Sequence, residues 1–237
     1  MAPRYGFFSQ ALQLAVADTL SPDTRQKALA VEARRLRDET IKSGQGSPLF
    51  RTIVDRKEGV PEEAVNPENG EIRYLFNHMP DVVRDAITLL IMRSPPRSGR
   101  PDNPRTGKFG SYRDNFYVSV NGNFEMAESF DQSKVEMGQT VYIGNTAPYA
   151  RKVDVQLIGT KKLSFSVPPH IFDDVVDELK RRYGNIARFR RHYTRTFPGQ
   201  YRLRQAQMRS DAPHRVKRSA GQLVESPVLV IEPIRLT

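Results

Sequence analysis

Apolar positions along this chain recur at two periods, near 3.6 and at 2, and the switches between them mark its elements. After Pro80, the residues Val83, Ala86, Ile87, Leu90 and Ile91 keep the i, i+3, i+4, i+7, i+8 spacing. That spacing predicts a core helix, which must end before Pro95-Pro96. A second amphipathic helix is expected after Pro168-Pro169, running through Ile171, Val175, Leu179 and Tyr183 to a stop at Gly184. A third, long and charged, should start at Ser21-Pro22, with a hydroxyl cap and a proline in the first turn, and end at Gly44. Its apolar stripe is thin, only Leu29, Ala33 and Leu36, which predicts a place on the outside of a subunit or against a neighbour.

Period two appears first in Phe50 to Asp55 and Glu71 to Phe76, separated by Pro61, Pro67 and Asn69-Gly70, and reads as a long-looped β-hairpin. It resumes at Phe116, Val118 and Val120, after which Asn121-Gly122 supplies a turn. Further strands are expected at Thr140 to Gly144, Val153 to Ile158, Leu163 to Val167 and Val228 to Ile231. From Ser94 to Ser111 there are four prolines, three glycines and four basic residues but almost no apolar side chains, so residues 94–111 are expected to form a mobile loop or arm. The pattern predicts an α+β fold: a mostly antiparallel sheet packed with two or three amphipathic helices, with long loops and extended arms. The expected organisation is an N-terminal helical segment, residues 1–45, and a single domain, residues 46–237.

At 237 residues, 38% of them apolar, the chain can bury a core without staples. It has no cysteine, which removes disulfides, thiolate metal sites and a cysteine nucleophile. The longest apolar run, Ala86 to Met92, falls far short of the ~20 residues a membrane-spanning helix needs. Arg4 is the only basic residue before Ala15-Val16-Ala17, and Ser9, Gln10 and Gln13 interrupt the run, so no secretion signal is expected. The expectation is a soluble protein without membrane partners.

Charge changes the picture most. The net charge is +10, yet 13 Lys or Arg and one acid, Asp211, lie between Lys180 and Arg218, leaving the rest of the chain slightly acidic. Tyr183, Phe189, Tyr193, Phe197 and Tyr201 are interleaved with this stripe. Such a segment can follow a phosphate backbone, with arginines on phosphates and rings on bases. It can equally be a packed element whose charged face meets an acidic partner or solvent. Arg188, Arg190, Arg191, Arg195, Arg202 and Arg204 are the candidate contacts to DNA or to an acidic partner.

Catalytic signatures fail on inspection. Gly107-Lys108 precedes Phe109 where a P-loop needs Ser or Thr, and Gly44-Gln45-Gly46 lacks the third glycine of a dinucleotide fingerprint. His78, His170, His192 and His214 are too far apart for a local zinc motif. Asp173, Asp174, Asp177 and Glu178 suit the positive end of a helix dipole better than a cation site. No acid-x-Lys pair follows Pro80-Asp81 on a nearby strand, as a metal-dependent nuclease would need. The sequence therefore predicts no enzymatic activity, no cofactor and no metal.

One constellation stands out: Arg93-Ser94-Pro95 at a helix end, Thr106-Gly107 in the loop, Tyr112-Arg113-Asp114-Asn115-Phe116 leading into a strand, and Val141 to Val153 containing Asn145-Thr146-Ala147-Pro148-Tyr149-Ala150. With Ser226 to Pro233 as a closing strand, it resembles the minor tail, tail-completion or neck proteins of tailed bacteriophages. The resemblance covers roughly residues 80 to 160 and the last strand; the hairpin and the basic segment exceed the usual family core. It implies a structural virion protein of the neck, assembled in the host cytoplasm, that joins head to tail as part of an oligomeric ring. Its partners would be copies of itself, the portal or adaptor protein, tail proteins, and the genome passing through the channel. Arg113, Phe116, Asn145, Pro148, Tyr149 and Ala150 would then be architectural, with Asn145 capping the turn at Ala147-Pro148 and Tyr149 burying its ring. The alternative is a stand-alone nucleic-acid-binding protein using residues 180–218.

Overall fold

The Ser21 hydroxyl accepts the Thr24 N–H at 3.4 Å and Pro22 occupies the first turn, so helix α1, Pro22–Lys42, begins where the sequence places it. The computed structural model describes residues 21–95, 112–147, 149–155, 170–195, 197, 202–208 and 216–234. The fold is α+β. Contacts divide the chain into two units, Met1–Pro80 and Asp81–Thr237, so the expected boundary at residue 45 moves. Helix α1 belongs with the hairpin that follows it.

In the first unit, strands β1, Phe50–Val54, β2, Lys57–Glu58, and β3, Ile72–Phe76, form an antiparallel sheet in the order β2-β1-β3. The expected hairpin is present, in register from Phe50 opposite Phe76 to Val54 opposite Ile72. Helix α1 is less peripheral than its thin stripe suggests. Leu29 and Ala33 pack into one cluster with Val54, Val65 and Ile72, flanked by Val60 and Tyr74. Arginines widen the contact: Arg37 lies 4.9 Å from the Phe50 ring and 5.4 Å from Tyr74, and Arg34 bonds Glu62 at 3.1 Å.

Helix α2, Met79–Arg93, buries Val82, Val83, Ala86 and Leu90 completely, as a core helix should. The second unit holds a five-stranded antiparallel sheet built from β4, Phe116–Val120, β5, Asn123–Met126, β6, Val141–Asn145, β7, Ala187–Thr194, and β10, Ser226–Pro233. Its order is β5-β4-β6-β10-β7. Asn121 and Gly122 both take positive φ, 52° and 82°, the two-residue turn whose twist matches the β4-β5 hairpin. Short strands β8, Gln207–Met208, and β9, Val216–Arg218, pair as a separate ribbon.

Cross-strand partners share a face. On one face run the rows Phe124, Ser119, Tyr142, Val230, Arg190 and Met126, Tyr117, Gly144, Val228, His192. On the other lie Val118, Ile143, Leu229 and Arg191, covered by helices α3, Ala150–Val155, and α4, Ile171–Tyr183. Helix α4 follows its predicted span and buries Ile171, Phe172, Val175, Val176, Leu179 and Tyr183, each apolar side chain contributing about 1.5–3 kcal/mol. Gly144 is required by close approach: a Cβ there would fall 2.5 Å from Cζ of Tyr117.

Two strand expectations meet the structure differently. The alternation of Val153 and Val155 reads as a strand, but residues 150–155 are helical. Ala150, Val153 and Asp154 sit at i, i+3 and i+4 and are all buried; a carboxylate on the inner face hid the helical period. Leu163 to Val167 lies outside the described residues, as do Ile158, most of the expected arm (residues 96–111) and the expected leader-free N-terminus.

Candidate functional site

The four sequence stretches that carry the resemblance converge in the second unit. At the end of α2 the Ser94 hydroxyl donates to Leu90 C=O at 2.5 Å, which leaves the Ser94 carbonyl to accept both Nε (3.2 Å) and Nη2 (2.9 Å) of Arg113. Arg113 lies in the 3-10 turn Tyr112–Asn115 that leads into β4. From the end of β6, Asn145 donates Nδ2 to Tyr112 C=O (2.8 Å) and accepts the Ala147 N–H on Oδ1 (2.9 Å). Thr146 bonds Asn115 through its N–H (2.9 Å) and its hydroxyl (3.1 Å), and Ser226 of β10 donates to Asn145 C=O at 2.7 Å. Asn145 is fully buried with both ends of its amide used, so it pins a strand end, a turn and a 3-10 helix at one point.

Aromatic rings fill the space around this clasp. Tyr112 stands edge-on to Phe116 at 5.6 Å and tilts against Tyr149 at 6.1 Å, while Phe116 meets Phe172 of α4 at 6.4 Å. Tyr149 is half-buried and Ala150, the first residue of α3, is buried. The Asn145 cap and the packed Tyr149 ring are as the sequence led one to expect, whereas Pro148 lies outside the described residues. Burial pushes the Tyr112 hydroxyl well above the ordinary tyrosine range.

A polar network that the sequence did not announce adjoins the clasp. Asp154 of α3 is fully buried and accepts the Phe172 N–H (3.3 Å), Arg191 (3.0 Å) and the Tyr193 hydroxyl (3.2 Å). Its own carbonyl takes the His170 N–H at 2.6 Å, so Asp154 caps α4 from outside, where His170 offers no side-chain cap. Burial raises the Asp154 carboxyl above the usual aspartate range, against the downward pull of Phe172, Arg191 and Tyr193. Arg191 also pairs with Asp173 at 2.9 Å, and Arg151 lies 4.9 Å from the Tyr193 ring and bonds Glu225.

The basic stretch turns out to be β7, an edge strand. Arg191 points inward to Asp154 and Asp173; Arg188 and Arg190 point outward with His192. Arg190 pairs with Glu232 at 2.7 Å, Arg195 with Glu225 at 2.9 Å, and Arg202 donates to Gly221 C=O at 3.2 Å. Among the described residues neither Arg188 nor Arg204 has an ion-pair partner. The acids of α4 are spent locally: Asp173 on Arg191, Asp177 on Lys180 at 3.7 Å, and Glu178 on Arg181 and Arg182. Among the described residues no three His, Cys, Asp or Glu side chains gather as a metal site, and no helix is long and apolar enough to cross a membrane.

These features define an α+β protein whose most constrained polar residues hold backbone to backbone, with its reactive groups tied into structural contacts. No family model, no curated protein and no solved structure matches this chain.

Proposed function

We propose that the chain is a structural subunit of the bacteriophage neck, joining head to tail within an oligomeric ring around the DNA channel. The observation that supports this best is the clasp itself. The segments by which the sequence resembles neck proteins are scattered from Arg93 to Pro233, yet Ser94, Tyr112, Arg113, Asn115, Asn145, Thr146 and Ser226 are joined by direct hydrogen bonds. Residues so used serve shape: they hold the helix end, the strand starts and the turn in one arrangement that a neighbour can meet repeatedly. The partners on this reading are further copies, the portal or adaptor, tail proteins and the passing genome.

The test is localisation. Antibody or gold labelling of purified particles should place the chain at the head-to-tail junction, and particles lacking it should carry unjoined heads and tails. Normal joined particles without the chain would refute the reading. Arg188 and Arg204 keep the nucleic-acid alternative in play, and salt-dependent DNA binding by the monomer would favour it.

A further inference from the structure

Among the described residues, β5 and β7 each have one neighbour in the sheet. We propose that these two outer strands are the halves of a head-to-tail interface between copies of this chain, with β7 of one copy lying beside β5 of the next. The proposal deepens the ring reading and rests on it for closure of the contact into a ring.

Strand direction comes first. Every neighbour in the order β5-β4-β6-β10-β7 is antiparallel, so the first and fifth strands run the same way. A second copy that continues the sheet therefore meets β7 in parallel, with each face of one sheet continuing into the same face of the next. The β5 backbone is ready for this. Ala127 N–H donates to Phe116 C=O at 2.9 Å, so by alternation Asn123 and Glu125 bond toward β4, while Phe124 and Met126 turn their N–H and C=O groups outward. All four β5 residues are exposed, including the Phe124 and Met126 side chains. An uncovered apolar edge is a template for pairing.

Charge chooses the occupant. The β5 edge and the loop after it expose Glu125, Glu128, Asp131 and Glu136 against Lys134 alone. The stretch 187–195 carries Arg188, Arg190, Arg191 and Arg195 and no acid. A two-fold contact through β7 would set arginines against arginines, and one through β5 would set glutamates against glutamates; both are disfavoured. Only the mixed contact joins opposite signs. It also brings Phe124 and Met126 onto the face where the neighbour presents Arg188 and Arg190, whose stems can cover the methionine and whose guanidinium can lie over the ring. Because the two surfaces differ, each copy keeps one of each open, and the assembly grows until it closes.

The experiment is sedimentation and native mass spectrometry of the full chain across a concentration series at low and high salt. Met126→Pro removes an outward N–H without touching the β4 ladder and should weaken self-association about tenfold or more, with the circular dichroism spectrum unchanged. Arg188→Glu should weaken it comparably, as should the pair Glu125→Lys and Glu128→Lys. The triple variant carrying all three charge reversals should recover. A closed oligomer with this sensitivity supports both the edge contact and the ring. Open-ended polymers with the same sensitivity support the edge contact and count against the ring. Association indifferent to Met126→Pro and Arg188→Glu, or a wild-type chain that stays monomeric throughout, overturns the edge proposal. Should Met126→Pro not fold, the charge reversals and their recovery decide alone.

Discussion

Replacing Asp154 tests whether a buried carboxylate holds the second unit's helices to its sheet. Its oxygens receive three donors: Phe172 N–H, Arg191 and Tyr193. In Asp154→Ala the Phe172 N–H, in the uncapped first turn of α4, loses its partner inside the protein, at about 1–3 kcal/mol. Breaking a buried ion pair adds up to about 3–5 kcal/mol when a lone charge remains, but Arg191 keeps Asp173, so the lower end applies. A total near ~3 kcal/mol is expected. Asp154→Asn keeps an acceptor for the N–H and loses only charge, about 1 kcal/mol. The pH dependence sharpens the test. Burial raises the folded pKa of Asp154, so its contribution to stability is full below the unfolded value and is lost as pH rises through the raised folded one. Asparagine does not titrate. The stability difference between aspartate and asparagine should therefore shrink as pH climbs from the ordinary carboxylate range toward neutrality, measured by urea unfolding with constant m-value. A difference that grows with pH would show that attraction to Arg191 outweighs burial, and would refute the reasoning.

Gly144→Ala should cost about 1–3 kcal/mol, because the new methyl overlaps the Tyr117 ring; a double-mutant cycle with Tyr117→Leu should recover much of it, checked by thermal unfolding. Asn145→Ala should cost about 2–4 kcal/mol by stripping partners from Tyr112 C=O and Ala147 N–H, read by denaturant unfolding, with hydrogen exchange rising first at residues 145–147. In the first unit Leu29→Ala should cost about 2–3 kcal/mol and loosen amide protection in β1 and β3, while exposed Val31→Ala should change little.

Much of the architecture was legible because single periods ran unbroken. Helices α1, α2 and α4, the first hairpin and the Asn121-Gly122 turn all follow from spacing, caps and turn residues. So did the role of Asn145, whose short amide two residues before a turn has one obvious use. Helix α3 was not legible, since its inner face carries Asp154, and a charged residue at an inner position mimics the outward step of a strand. The carboxylate makes sense only beside Arg191, Tyr193 and the start of α4, all supplied from 16 or more residues away in the chain. Strand β7 was half legible: Ala187, Phe189, Arg191 and Tyr193 alternate inward, but the arginine density drew attention to charge instead of period.

That density overstates what the surface offers to a phosphate. Of the six arginines singled out, Arg190, Arg191 and Arg195 have carboxylates beside them from Glu232, from Asp154 and Asp173, and from Glu225. An exposed pair such as Arg190 with Glu232 is weak and can open, but the glutamate stays and repels an incoming phosphate, so the net gain from that arginine is small. Arg188 and Arg204 have no such neighbour, and Arg202 holds only the Gly221 carbonyl. Each phosphate neutralised contributes about −0.9 to the slope of log K against log salt on duplex DNA. Arg188→Gln/Arg202→Gln/Arg204→Gln should therefore remove about two to three from any measured slope, while Arg190→Gln/Arg195→Gln should remove less than about one. Fluorescence anisotropy with a short duplex over a salt series gives both numbers. Equal losses from the two variants would mean that the internal carboxylates do not discount their arginines, and the whole stripe would then have to be counted as a DNA-facing surface.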